Sequence, residues 1–225
     1  MFIKIAHRGA SKKEPENTMR SFRRALSLGF TFIECDAHVC KTGELVVMHD
    51  ETVNRTTNGR GKIHHKTFKE LLELDDGKGE HIPKLQQVVE LVHGKARLDI
   101  ELKGKGTGAA VAYMLAGYYA AGWKPSDFFI TSFSKKELLS FRKIDEVTQV
   151  GYLVGLNIFG VICFAKKIHA HSINPSYYQV TEHFVRRAHK NGFKVFVYTV
   201  DTHEGAEKMK AMGVDGVFSD CPDEI

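Results

Sequence analysis

Short apolar runs alternate with amphipathic stretches along most of the chain. Runs at Phe2–Ala6, Thr31–Ala37, Arg97–Leu102, Phe128–Thr131, Gln149–Val154, His171–Asn174, Lys194–Val200 and Gly216–Ser219 have the length of buried parallel strands. Helical spacing falls between them. Thr18–Leu28 puts Met19, Phe22, Ala25 and Leu26 on one stripe, and Leu85–Val92 does the same with Leu85, Val88, Val89 and Val92. Ser134-Lys135-Lys136-Glu137 and Asp201-Thr202-His203-Glu204 each match a capping box, which predicts helix starts after the fourth and seventh strands. Gly192 and Gly213 stand where helices should stop. Strands alternating with helices predict a parallel sheet, and eight such units predict a closed α/β (β/α)8 barrel of the TIM type. The open doubly wound alternative calls for a glycine-rich turn after the first strand, and His7-Arg8-Gly9 is not one.

One region departs from this rhythm. Lys41-Thr42-Gly43-Glu44 is a turn signal and Leu45–Met48 a further short strand, which predicts a hairpin after the second strand. The following Glu51–Pro83 is polar, with a helix expected at Thr67–Leu74. A stretch this short is expected to be an insertion at the active-site end of the barrel, too small to bury a core of its own. The chain of 225 residues is therefore expected to form a single domain over residues 1–225, with its insertion at about 51–83.

Composition narrows the function classes. With 43% hydrophobic and 26% charged residues the chain has material for a sizeable core. Its net charge of +5 comes without any block of like charges, so neither nucleic acid nor an anionic membrane is an expected partner. The longest apolar stretch, Leu156 to Ala165, is too short to span a bilayer and contains Asn157 and Gly160. Four cysteines with no CxxC pair, behind a start that does not resemble a signal peptide, predict free thiols and a cytoplasmic location. No signal for an oligomeric state is evident.

Strand alternation then places candidate chemistry. Glu34 and Asp36 share one face of their strand, with Ile33 and Cys35 on the other; Asp99, Glu101 and Lys103 share a face of the third barrel strand. If the apolar faces meet the helices, three to four carboxylates converge in the barrel mouth. Either basic neighbours such as Arg97 or Lys103 neutralise them, or a cation does. Oxygen-only ligands select a hard ion, Mg²⁺ or Ca²⁺, over zinc. His7 ends the first strand and His49 ends the hairpin strand, so both reach the same mouth, where imidazoles serve as acid and base near neutral pH. Arg8 adds a fixed fork and Lys103 a mobile charge, both suited to phosphate oxygens. His169-Ala170-His171 begins a strand, at the stability end of a barrel, and is expected to be structural; His64-His65 is expected to be solvated.

These residues carry a resemblance. His7-Arg8-Gly9, Pro15-Glu16-Asn17-Thr18, Glu34-Cys35-Asp36, His49-Asp50, Arg55-Thr56-Thr57-Asn58-Gly59, Ile82-Pro83-Lys84-Leu85, Ile100-Glu101-Leu102-Lys103, Thr131-Ser132-Phe133 and Gly213–Asp220, in that order, resemble the signatures of the glycerophosphodiester phosphodiesterase family. The resemblance implies a barrel with a small insertion after the second strand. It also implies hydrolysis of glycerophosphodiesters to sn-glycerol 3-phosphate and an alcohol, with one divalent cation as cofactor. Carried over by position, His7 and His49 would be the acid and base, and Glu34, Asp36 and Glu101 the metal ligands. Arg8 and Lys103 would contact the phosphate. Asp50 and Asp99 are not part of that carry-over; from their positions they are expected to orient neighbours and not to ligate. Tyr198 stands where the family commonly has Trp, which bears on the shape of the alcohol-binding wall.

Three readings compete on this ground: the diesterase of small water-soluble diesters, a lysophospholipase D-type hydrolase, and a non-catalytic phosphodiester-binding barrel. The polar insertion, expected to wall the leaving-alcohol side of the mouth, favours the first. A cationic head group such as choline would then rest on Phe133 or Tyr198.

Overall fold

The computed structural model describes residues 2–155 and 160–225 of the chain. The elements run β1 (Ile3–Ala6), α1 (Met19–Ser27), β2 (Phe32–Val39), β3 (Leu45–Val47), α2 (Phe68–Leu72), α3 (Leu85–Val92), β4 (Arg97–Leu102), α4 (Thr107–Ala120), β5 (Phe128–Ser132), α5 (Lys135–Arg142), β6 (Gln149–Val154), α6 (Val161–Lys167), β7 (Ser172–Pro175), α7 (Glu182–Lys190), β8 (Lys194–Val197), α8 (His203–Ala211) and β9 (Gly216–Ser219). Eight strands are parallel neighbours in the order β1-β2-β4-β5-β6-β7-β8-β9, and β9 pairs back to β1, so the sheet closes into the TIM-type barrel. β3 lies antiparallel on the projecting end of β2. The apolar stretch from Leu156 falls partly outside the described residues; its remainder starts α6. Among the described residues no helix is long and apolar enough to cross a membrane.

Alternation along the strands sorts the apolar residues into two layers. Ala6, Ile33, Cys35, Ile100, Ile130, Val195 and Val217 face outward into a core shared with helix residues such as Phe22, Leu85 and Phe141. Their sequence neighbours Ile5, Phe32, Phe129, Phe196 and Phe218 fill the barrel interior.

Two caps differ from local expectation. The Ser134 side chain accepts from the Glu137 N–H, as a capping box requires. The Glu137 carboxylate, however, turns to the neighbouring helix and accepts from the N–H groups of Gly106 and Gly108 at the start of α4. Those amides have no partners in their own helix, so a buried carboxylate gains more there than at its own cap. Gly108 must lack a side chain, because a Cβ would come within 2.2 Å of the Glu137 carbonyl oxygen. At α8 the cap is Thr202, one residue later than expected, because Asp201 accepts from Ser219 Oγ and the Asp220 N–H across the barrel closure.

The insertion also departs from expectation. Val53, Ile63, Leu71 and Ile82 are buried with Cys40, Val46 and Met48 in a cluster separate from the main core. The segment thus does bury a small core, using the hairpin as its floor. Its helix is shorter than the expected Thr67–Leu74, and Thr67 with Glu70 forms a complete capping box.

Candidate active site

The parallel register brings the candidate residues together. Asp36 pairs with Glu101 and Glu34 with Asp99 across β2 and β4, while β1 runs alongside β2 with Ala6 opposite Ile33. His7 and Arg8 therefore leave β1 directly beside Glu34, and the Arg8 N–H donates to Glu34 Oε2 at 2.8 Å. The tight turn depends on Gly9, whose φ of +81° is left-handed and where a Cβ would meet Ser21 backbone at 2.6 Å. Val47 opposite Ala37 in the hairpin carries His49 to the same mouth.

Oxygens of Glu34, Asp36 and Glu101 lie within 4.8 Å of one another, and all three residues are buried. Glu34 Oε1 and Asp36 Oδ1 have no hydrogen-bond partner. Burial, reinforced by repulsion from Asp36 and Glu101, pushes the Glu34 carboxyl well above the carboxylate range. Burial and then Asp36 do the same to Glu101. Asp36 goes the other way: burial opposes ionisation, but Lys103 and Arg8 together outweigh it. Lys103 Nζ lies 3.0 Å from Glu101 and 3.5 Å from Asp36, and Arg8 Nε lies 3.3 Å from Asp36. With all three ionised, as a bound divalent ion would require, those two cations leave one carboxylate charge unbalanced. The orphaned oxygens and the oxygen-only donors fit a hard divalent cation.

Asp99 lies among the same carboxylates: Thr131 Oγ1 donates to its Oδ1 at 2.9 Å, its Oδ2 has no hydrogen-bond partner, and burial pushes its carboxyl well above the usual range. Arg97 plays no part in the mouth. It sits at the far end of β4, donating to the Phe128 carbonyl and Gln149.

Each histidine is mounted on a carboxylate. His7 Nδ1 is 2.6 Å from Asp220 Oδ1 and His49 Nδ1 is 2.7 Å from Asp50 Oδ1. An ionised carboxylate only accepts, so both rings donate Nδ1–H and keep Nε2 for the cavity. Arg55 and His49 hold the Asp50 carboxyl down at about 2. Asp220 is also held low: burial opposes it, and the bonds from His7 and Ser11 prevail. Burial lowers His49, with Asp36 and Asp50 as partial offsets.

The cavity at the mouth has a volume of about 250 Å³ and is lined by His7, Arg8, Glu34, His49 and Glu101 together with Phe133, Leu153, Tyr198 and, packed edge-on against His7, Phe218. Phe133 stands edge-on to Tyr198, with Lys103 Nζ 5.9 Å from the Phe133 ring. The Tyr198 hydroxyl donates to the Val154 carbonyl. Lys103 and Asp36 do not line the cavity; they contact Glu101 and Glu34, which do. No residue of the insertion lines the cavity among the described residues, contrary to the expectation that it walls the mouth: it packs on its own cluster, and its Arg55 bonds to Asp50 and Glu16 beside the site. Leu153 and Phe218 were not anticipated as lining residues; their alternation with outward neighbours was the available signal. Glu16, Asn17, Arg55 and Asp220 lay inside the recognised motifs without assigned jobs. Asn17 now proves to clasp Asp36, donating to its carboxylate at 2.8 Å and accepting from its N–H.

A barrel whose mouth carries a carboxylate cluster and two carboxylate-mounted imidazoles defines a class of acid–base hydrolytic sites. The family model described as Glycerophosphoryl diester phosphodiesterase family matches residues 7–224, and the chain belongs to that family. It is 37% identical over 233 residues to a glycerophosphodiester phosphodiesterase of Caldanaerobacter subterraneus subsp. tengcongensis, covering 98% of this chain and 95% of the relative. A Bacillus altitudinis glycerophosphodiester phosphodiesterase is 31% identical, with 97% and 94% covered. Among solved structures, an Oleispira antarctica phosphodiesterase in complex with the product sn-glycerol-3-phosphate superposes with a TM-score of 0.90 at 27% identity, covering 98% of this chain and 93% of that one.

Proposed function

We propose that the protein hydrolyses glycerophosphodiesters to sn-glycerol 3-phosphate and an alcohol. The observation that carries this is the meeting, in one small cavity, of an under-neutralised carboxylate triad and two imidazoles with matched mounts. Glu34, Asp36 and Glu101 would hold one divalent cation, Mg²⁺ or Ca²⁺. When bound it supplies charge neutralisation and polarises a phosphoryl oxygen. A divalent ion would turn the net negative charge left by Arg8 and Lys103 positive, and a diester monoanion would then make the site neutral.

The side chains do the rest. Arg8, anchored by one N–H to Glu16 at 2.9 Å, offers its remaining donors to the diester oxygens. Lys103 braces Asp36 and Glu101 and adds positive charge. One imidazole takes a proton at Nε2 from the nucleophile, a water or the glycerol 2-hydroxyl, and the other returns one to the leaving alkoxide. Phe133 and Tyr198 form the apolar wall for the alcohol, where a cationic head group is stabilised against a ring face. A volume of about 250 Å³, below the usual range for drug-sized ligands, suits a small polar diester over a lysolipid. Four free cysteines accord with a cytoplasmic setting.

Release of glycerol 3-phosphate from glycerophosphocholine, glycerophosphoethanolamine and lysophosphatidylcholine, with and without chelator, tests this. We expect the two water-soluble diesters to turn over and chelator to stop them. Release from none of the three would favour a binding barrel, a preference for the lysolipid would overturn the substrate reading, and full turnover by metal-free protein would overturn the cation.

A further inference from the structure

The two imidazoles are mounted differently. Asp220, which orients His7, is held by Ser11 Oγ at 3.0 Å and by its own N–H to Asp201, all within the barrel loops. Asp50, which orients His49, has no such barrel support. Its charged partner comes from the insertion: Arg55 Nε donates to Asp50 Oδ2 at 2.8 Å and Nη2 to Oδ1 at 3.2 Å. The other edge of the same guanidinium grips Glu16, Nη1 to Oε2 at 2.8 Å and Nη2 to Oε1 at 2.7 Å. Glu16 in turn is bonded to Arg8.

We propose that Arg55 is a positioning residue for His49, and that supplying it is what the inserted segment contributes to the site. The proposal rests on the hydrolytic reading above. The planar fork of arginine is suited to this, since it holds two carboxylates in fixed relation where a lysine would hold one point. Its backbone is fixed by the insertion's small core. Val53 is fully buried, and its carbonyl accepts from both the N–H and Oγ1–H of Thr57, closing a turn around Arg55. Asn58 ties that turn to Asp75 in both directions. Packing in the insertion thereby sets the Arg55 head group, which sets Asp50, which sets the tautomer and direction of the His49 ring. Without Arg55, Asp50 at about one-third exposed is free to turn to water, and the ring loses the bond that reserves Nε2 for the substrate.

The test uses Arg55→Gln, Arg55→Lys, Asp50→Asn and the Asp50→Asn/Arg55→Gln double variant of the full chain. We expect Arg55→Gln to lower kcat by roughly 10- to 100-fold, as losses of imidazole-orienting partners do, with KM nearly unchanged. Arg55→Lys should fall between Arg55→Gln and wild type, and the double variant should be no worse than Asp50→Asn. Long-range ¹H–¹⁵N correlation of the histidine rings gives a readout independent of activity: His49 should be Nδ1-protonated in wild type and lose that preference in Arg55→Gln, while His7 stays unchanged. A wild-type His49 spectrum and kcat in Arg55→Gln would overturn the proposal, as would full additivity of the two substitutions. An inactive wild type with the expected ring spectra would count against the hydrolytic reading alone.

Discussion

The two ends of the barrel handle charge in opposite ways. Strand β4 begins with Arg97 and ends with Glu101. At its start the guanidinium lies 4.8 Å from the Phe129 ring centroid and 5.1 Å from that of Phe32, with hydrogen bonds to the Phe128 carbonyl and Gln149. His171 stands edge-on to Phe129 nearby. The Arg97 guanidinium there is partnered by the Phe128 carbonyl, Gln149 and two aromatic faces. At the other end of the same strand Glu101 crowds Asp36 and Glu34, and two of their buried oxygens accept no hydrogen bond. A larger cavity than the one at the mouth, about 730 Å³, opens at the starts of β1 and β2 and is lined by no imidazole and no carboxylate cluster. Volume alone therefore does not locate the chemistry. Unsatisfied charge does, because folding free energy would not maintain it unless another component completes it.

The sharpest way to break this contrast is to neutralise the unfinished end. Glu34→Gln should abolish turnover while leaving Tm in metal-free buffer unchanged or higher, since it removes a buried, repelling carboxylate. Glycerol 3-phosphate release and thermal melts check both halves, and a large fall in Tm would assign the cluster to stability.

Removing either imidazole comes next. His7→Ala and His49→Ala should each lower kcat by about 10²- to 10⁴-fold through lost proton transfer, and the double variant should cost less than the product of the two. Near-normal turnover in His49→Ala would take the hairpin histidine out of the reaction.

At the finished end the expected effect is on stability. Arg97→Met should cost about 1–3 kcal/mol by leaving the Phe128 carbonyl without its donor, measured by chemical denaturation, with turnover unchanged. A loss of activity without a loss of stability would show that the two ends are coupled.

The smallest effect tests whether an unsatisfied carboxylate outside the mouth behaves as one. Asp76, in the insertion, is buried with both oxygens lacking well-formed hydrogen bonds. Burial pushes it up to about 6, with Thr56 a partial offset. The folded protein then holds this proton more tightly than the unfolded chain, so the site's stabilisation is present below about pH 4 and is lost as pH rises through 6. Relative to Asp76→Asn, wild-type stability should decline across that window by on the order of 2–3 kcal/mol at most. Parallel melting curves would mean that Asp76 titrates normally.

Much of this was legible in the sequence. Three barrel strands, Arg97–Leu102, Gln149–Val154 and Gly216–Ser219, and the helix Leu85–Val92 have the same limits by pattern and by structure. The facing of Glu34 and Asp36 against Ile33 and Cys35 also followed from period-two alternation, and Cys35 is buried in the outer layer. The insertion was less legible. Its polar composition hid Val53, Ile63, Leu71 and Ile82, which lie too far apart to make a periodic signal and meet only on the hairpin.

What the sequence determined by itself is what depends on neighbours within a few residues: element order, strand faces, helix stripes, and which residue types reach the strand ends. The tertiary structure alone decided the partners. Asp220 meets His7 across 213 positions, Arg55 meets Glu16 across 39, and Glu137 leaves its own helix to cap another 31 positions away. Local rules carry no information about such pairs, because they exist only after the barrel closes β9 onto β1 and sets the strands in register. A buried polar group then bonds to whichever donor the closed fold leaves unsatisfied, however far away in the chain that donor lies.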